Sequence, residues 1–150
     1  MWKPPVFAVV ATLALTACAF AGDVGLGLIA GEPTGVSVKV WSGSRTAFDG
    51  AVGWSLDESG WIYAHADYLW HRYDIEIDFP GALPFYVGVG GRVLFRESER
   101  SRVGIRVPIG LDYLTADRRF DFFLEIAPVV DLVPETEFSV SGGIGARFYF

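Results

Sequence analysis

FSVSGGIGARFYF, residues 138–150, separates into two sets when every second residue is taken. Phe138, Val140, Gly142, Ile144, Ala146, Phe148 and Phe150 form one set; Ser139, Ser141, Gly143, Gly145, Arg147 and Tyr149 form the other. A period of two is a strand with one apolar and one polar face. The fold question becomes which of the two faces meets water.

The same period runs back to Val24, interrupted by short stretches rich in Gly, Pro, Ser and Asp. It predicts eight strands, near 24–31, 36–42, 46–57, 61–74, 83–95, 102–115, 120–132 and 138–150, with no helical segment. Short connections between consecutive strands make neighbours antiparallel, an up-and-down meander. Between the third and fourth strands, a three-residue loop Glu58-Ser59-Gly60 is expected, with Gly60 in the left-handed position that ends such loops. That loop pairs Ser55 with Tyr63 and Gly53 with His65.

One face is apolar from end to end, through residues such as Leu26, Val38, Phe48, Val89, Ile105 and Leu124. The other carries Lys39, Asp49, His65, Asp67, Arg92, Arg106, Asp112, Asp121, Glu125, Asp131 and Arg147, together with nine glycines: Gly25, Gly27, Gly53, Gly88, Gly90, Gly104, Gly110, Gly143 and Gly145. On a solvated face those glycines weaken strands and pack nothing. Inside a narrow eight-stranded barrel they make room for large neighbours, because such an interior is just wide enough to be filled by side chains. The apolar face then meets hydrocarbon, where a mid-depth Arg or Lys costs about 2–4 kcal/mol. Trp54, Tyr68, Trp70, Phe95, Tyr113, Phe120, Phe148 and Phe150 fall towards strand ends, where interfacial girdles form. The expectation is an all-β, eight-stranded antiparallel transmembrane barrel over residues 22–150. The charged residues named above form its interior polar network.

The start, MWKPPVFAVVATLALTACAFAGD, places Lys3 before an uncharged run from Val6 to Cys18 and ends in Ala19-Phe20-Ala21. It is expected to be an export signal over residues 1–21. Leu15-Thr16-Ala17-Cys18 is a competing lipidation signal. Cys18 is the only cysteine, so no intramolecular disulfide is expected. Without Lys3, 11 basic side chains face 18 acidic ones, a formal charge of −7, which argues against nucleic-acid binding.

With Phe150 last and Phe148 two positions earlier, the closing segment resembles the final strand of bacterial outer-membrane barrels. GEPTG (31–35), HADYLWH (65–71), GIRVPIGLDYL (104–114) and FLEIAPVVDL (123–132) are similar to a family of small eight-stranded outer-membrane barrels. The resemblance implies an outer-membrane location. It also implies outer-membrane lipid around the barrel and recognition of the terminal aromatic residue by the barrel-assembly machinery. It implies no catalytic role.

Six interior acids against four bases leave carboxylates short of partners, so water, His65 or an ion must fill in. The interior reads as a charge-paired plug or as a narrow proton or cation path. His65 and Asp67 share a face, as a hydrolytic dyad with Ser55 requires. An interior dyad lacks a route to lipid or peptide, and no nucleophile elbow is visible. No enzyme, cofactor or metal site is therefore expected, the last because only two histidines and no thiol pattern are present. If both termini are periplasmic, the outward loops near 32–35, 57–60, 96–101 and 133–137 are short and acidic, a solvated rim suited to a cation or an extracellular basic protein.

Overall fold

Alternation of side chains across a pleated backbone sets the architecture. The computed structural model describes residues 23–54, 60–96 and 100–150. Among these residues, nine antiparallel strands form one sheet: β1 (Val24–Gly31), β2 (Gly35–Trp41), β3 (Thr46–Trp54), β4 (Trp61–Arg72), β5 (Phe85–Arg96), β6 (Arg102–Arg106), β7 (Ile109–Leu114), β8 (Phe120–Val133) and β9 (Glu137–Tyr149). Among the described residues there is no helix. The expected export signal and Cys18 lie outside the described residues.

Consecutive strands pair with each other except β6 and β7, and the pairing of the first strand with the last closes the sheet on itself. β1 joins β9, and β4 joins β5 over twelve residue pairs from Trp61↔Arg96 to Arg72↔Phe85. The result is a closed ring. Closure removes the unpaired backbone edge that an open sheet presents.

The expected strand at 102–115 is two strands, β6 and β7, and this corrects the count of eight. The cause is Pro108, which has no N–H to give to the ladder. β6 and β7 nevertheless lie between the same two neighbours, β5 and β8. Around the break, Val107 N–H donates to the Pro128 carbonyl at 3.0 Å, and Gly88 N–H donates to the Pro108 carbonyl at 2.9 Å. Eight staves thus make the ring, one of them interrupted. On β8 the register steps between Val103↔Val133 and Gly104↔Asp131, leaving Leu132 as an extra residue. That bulge leaves both Leu132 and Val133 exposed while Asp131 stays buried.

The β3–β4 hairpin also departs from expectation. Gly53 pairs with Tyr63 and Ala51 with His65, so the register is offset by two residues. Gly60 does adopt a left-handed φ of 56°. Residues 55–59 lie outside the described residues, and the expected Ser55–Tyr63 pair falls there in part. An offset of two keeps every side chain on its expected face.

Burial follows the pleat. The polar parity points to the interior of the ring and the apolar parity to the outside, so exposed large apolar side chains outnumber buried ones. Ile105 is 48% exposed, and Arg106 beside it only 1%. The buried apolar cluster is small: Ile29, Ala51 and Phe123.

Inward glycines stand opposite the bulkiest inward side chains. Gly25 pairs with Tyr149, Gly110 with Tyr86 and Gly145 with Phe123. A Cβ on Gly25 would lie 2.7 Å from the Tyr149 ring, and one on Gly145 would collide with the ring of Phe123. These three rings lie over the backbone of the neighbouring strand, and only glycine leaves them that space.

Candidate functional site

All eleven residues expected to face inward are buried: Lys39, Asp49, His65, Asp67, Arg92, Arg106, Asp112, Asp121, Glu125, Asp131 and Arg147. Strand β8 sets out the network along the ring, because Asp121, Glu125 and Asp131 share its inward parity. At about 3.4 Å per residue, the first two are about 14 Å apart along the strand and the last two about 20 Å. Each anchors a different group of partners.

At the end nearest the described termini, Lys39 Nζ donates to Asp112 Oδ2 at 2.5 Å and lies 2.8 Å from His71 Nε2. His71 Nδ1 is 3.2 Å from the Arg45 carbonyl, which only accepts, so Nδ1 carries the proton there. His71 Nε2 lies between the Lys39 ammonium and Asp112 Oδ2, the latter 3.1 Å away. The ammonium also lies 4.5 Å from the Trp41 ring centroid, a cation–π contact. Sequence reasoning left His71 out of the network, although its parity marks it as inward-facing.

Arg147 joins this end to the middle. Its Nε donates to Ser37 Oγ at 2.9 Å, Nη1 to Asp121 Oδ2 at 3.1 Å and Nη2 to Asp49 Oδ2 at 3.2 Å. The guanidinium stacks 3.9 Å from the Phe123 ring centroid. Tyr149 donates to the same Asp121 oxygen at 2.9 Å. Three buried side chains from β2, β3 and β8 are thereby held by one planar fork of donors.

In the middle, Arg106 Nη2 donates to Glu125 Oε2 at 2.6 Å, and Tyr86 donates to Glu125 Oε1 at 2.9 Å. Arg106 Nε is 3.2 Å from Asp67 Oδ1, an ion pair without hydrogen-bond alignment. At the far end, Arg92 holds Asp131 with two parallel bonds, 3.0 Å from Nε and 2.5 Å from Nη2. Fork-to-carboxylate pairing of this kind is the strongest ion-pair geometry available to side chains. Tyr86 and Tyr149 were also missed as partners, again despite their inward parity.

His65 and Asp67 do come together, with Nδ1 3.1 Å from Oδ2. Both are buried, and Ser55 lies outside the described residues. Asp49 lies directly across the β3–β4 ladder from Asp67. Asp49, His65 and Asp67 offer ligand atoms within 4.8 Å of one another, a grouping that counting histidines in the sequence did not anticipate.

Outside the strands, the β7–β8 turn holds Asp117. Asp117 Oδ1 accepts from the Thr115 hydroxyl at 2.6 Å and from Arg119 N–H at 3.1 Å. These bonds, the Thr115 one foremost, hold the Asp117 carboxyl below the usual carboxylate range.

Set against family models, curated proteins and solved structures, the chain matches none of them.

Proposed function

We propose that the chain is an eight-stranded up-and-down β-barrel of the bacterial outer membrane whose charge-paired interior plugs the lumen. Its role in this reading is structural or in surface interaction, without catalysis. The observation that carries the reading is the inversion of polarity across the sheet. Leu28, Leu124, Ile126, Ile144 and their outward neighbours are exposed, and between strand ends the outward positions carry no charge. Soluble monomers rarely expose more than a few hundred Å² of continuous apolar surface. A hydrocarbon solvent removes the cost of that surface and makes the charge-free face a requirement.

Dimensions agree with this reading. From Phe120 to Val130 the outward band of β8 covers ten residue steps, about 33 Å along the strand. At the 35–45° tilt usual for such barrels, it spans about 25 Å, the height of an outer-membrane apolar band. Phe48, Tyr68 and Trp70 cluster on adjacent strands near one rim, as do Phe120, Phe148 and Phe150, with ring centroids 4.8–5.6 Å apart. Trp54 and Phe95 sit towards the other.

Filling of the interior favours a plug over a channel, because buried ion pairs cross it at three levels. The partners of this reading are outer-membrane lipid, the barrel-assembly machinery acting on the strand that ends at Phe150, and an extracellular protein at the acidic rim. The decisive experiment is heat-modifiable gel mobility on outer-membrane fractions, with the N-terminus determined by mass spectrometry. Folded, faster-migrating protein confined to detergent-extracted membrane is expected. Spin labels at Ile105 and Val107 reporting water would overturn the reading. Planar-bilayer recordings are expected to show no conductance steps.

A further inference from the structure

Charge is unevenly balanced inside the ring. Lys39 is matched by Asp112, and Arg92 by Asp131. Between these pairs two guanidiniums serve four carboxylates: Arg147 is shared by Asp49 and Asp121, Arg106 by Asp67 and Glu125. With neutral histidines and all four carboxylates ionised, the buried centre lacks two positive charges. Uncompensated charge in an interior costs several kcal/mol per ion.

The imbalance coincides with polar atoms that lack partners. Asp49 and Asp67 are directly opposed across the β3–β4 ladder on the inward face, an arrangement that repels when both are ionised. His65 precedes Asp67 by two residues and shares its face. It is 7% exposed, and neither ring nitrogen has a hydrogen-bond partner among the described residues. The same holds for both oxygens of Asp67 and for Asp49 Oδ1. Arg106 and Arg147 approach this group from its flanks, through Asp67 Oδ1 and Asp49 Oδ2. That leaves Asp49 Oδ1, Asp67 Oδ2 and an imidazole nitrogen.

We propose that Asp49, His65 and Asp67 form a binding site for one divalent transition-metal ion of the Zn²⁺ class, which ties β3 to β4 from within and supplies the two missing charges. The donor set decides the class. An imidazole nitrogen beside two carboxylates suits Zn²⁺ and its neighbours, whereas Mg²⁺ and Ca²⁺ favour all-oxygen shells. Geometry agrees. Ligand atoms within 4.8 Å of one another put a central point no more than about 2.8 Å from each. Tetrahedral bonds of about 2.0 Å place neighbouring ligand atoms about 3.3 Å apart, and His65 Nδ1 to Asp67 Oδ2 is already 3.1 Å. Three protein ligands leave a fourth position for water. The other histidine is not a rival, since both His71 nitrogens are engaged, Nδ1 by Arg45 and Nε2 by Lys39 and Asp112. The site depends on the β3–β4 register and the inward parity of these side chains, not on the solvent outside the ring, so it stands or falls separately from the membrane reading.

Burial makes exchange slow in the folded state, so the test starts from unfolded chain. The full chain is stripped with EDTA in urea, refolded into detergent micelles, and titrated with Co²⁺ as a coloured stand-in and then with Zn²⁺. One equivalent of Co²⁺ is expected to give a visible d–d band that Zn²⁺ abolishes, while millimolar Mg²⁺ and Ca²⁺ leave it unchanged. His65→Ala is expected to weaken binding at least tenfold, and His71→Ala to leave it within about twofold. No saturable binding, binding kept in His65→Ala, or equal displacement by Mg²⁺ would each overturn the proposal. In the first case protons alone supply the missing charge. Should His65→Ala fail to refold, histidine ¹⁵N spectra of the unsubstituted chain decide. A Zn²⁺-dependent shift of the His65 ring nitrogens supports the site, and a shift at His71 alone, or none, overturns it.

Discussion

Two histidine-centred groups lie inside the same ring, and they differ in how completely they are satisfied. At one level, His71 is bonded through both nitrogens and Lys39 is held by Asp112, His71 and the Trp41 face. At the other, His65 has neither nitrogen bonded, and Asp67 has neither oxygen in a hydrogen bond. Both histidines lie on β4, six residues apart and on the same face. The residue types are alike, so composition does not separate the groups. Their neighbours do: β2 brings a cation beside His71, whereas β3 brings a second carboxylate beside Asp67. A closed charge pair stabilises the ring as built; an open cluster is a place for something added.

The largest expected effect comes from cutting the link between the two levels. Arg147→Ala strands both Asp49 and Asp121, and should cost about 3–5 kcal/mol, read as a lower urea midpoint for the chain refolded in detergent. A loss below about 1 kcal/mol would mean the two levels are not coupled through this guanidinium. Next, His71→Ala removes a buried partner of Lys39 and Asp112 and should cost about 1–3 kcal/mol. In metal-free protein, His65→Ala should cost clearly less, because no hydrogen bond is lost with it. If the two substitutions destabilise equally under EDTA, the contrast between the groups disappears.

The smallest effect concerns a carboxylate outside the ring, a solvated counterpart to the buried ones. Asp117 has its carboxyl held below the ordinary range by Thr115 and Arg119. A depressed folded value means its contribution to stability is complete above the unfolded pKa and fades as pH falls through the folded one. Thr115→Val should move the Asp117 titration upward, towards the usual carboxylate range, as followed by carboxyl ¹³C shifts. The interior bonds of Arg147 and Lys39 should be untouched by that change.

Much of the fold was legible because parity is a local property. β1 spans Val24–Gly31, the range expected from alternation, and Arg106 and Ile105 fall on opposite faces as their order in the chain requires. What failed was offset. Alternation says that residues of like parity pair, but not which ones, so Gly53 was matched two residues away from its partner Tyr63. The division of the 102–115 strand at Pro108 was readable in principle, since proline breaks a ladder wherever it sits. The site was legible as a set of inward side chains. Its pairings were not, and neither was the unsatisfied group around His65.

From sequence alone came the period of two, the charge-free face, and the placement of glycine on the face that carries the charges. Each follows from a pleated strand sending alternate side chains to opposite sides. Tertiary structure alone decided that Arg147 reaches Asp49, 98 positions earlier in the chain, and that Asp49 faces Asp67 with His65 beside them. Ring closure and strand offset choose which inward side chains share a level, and no local pattern in the chain carries those two quantities.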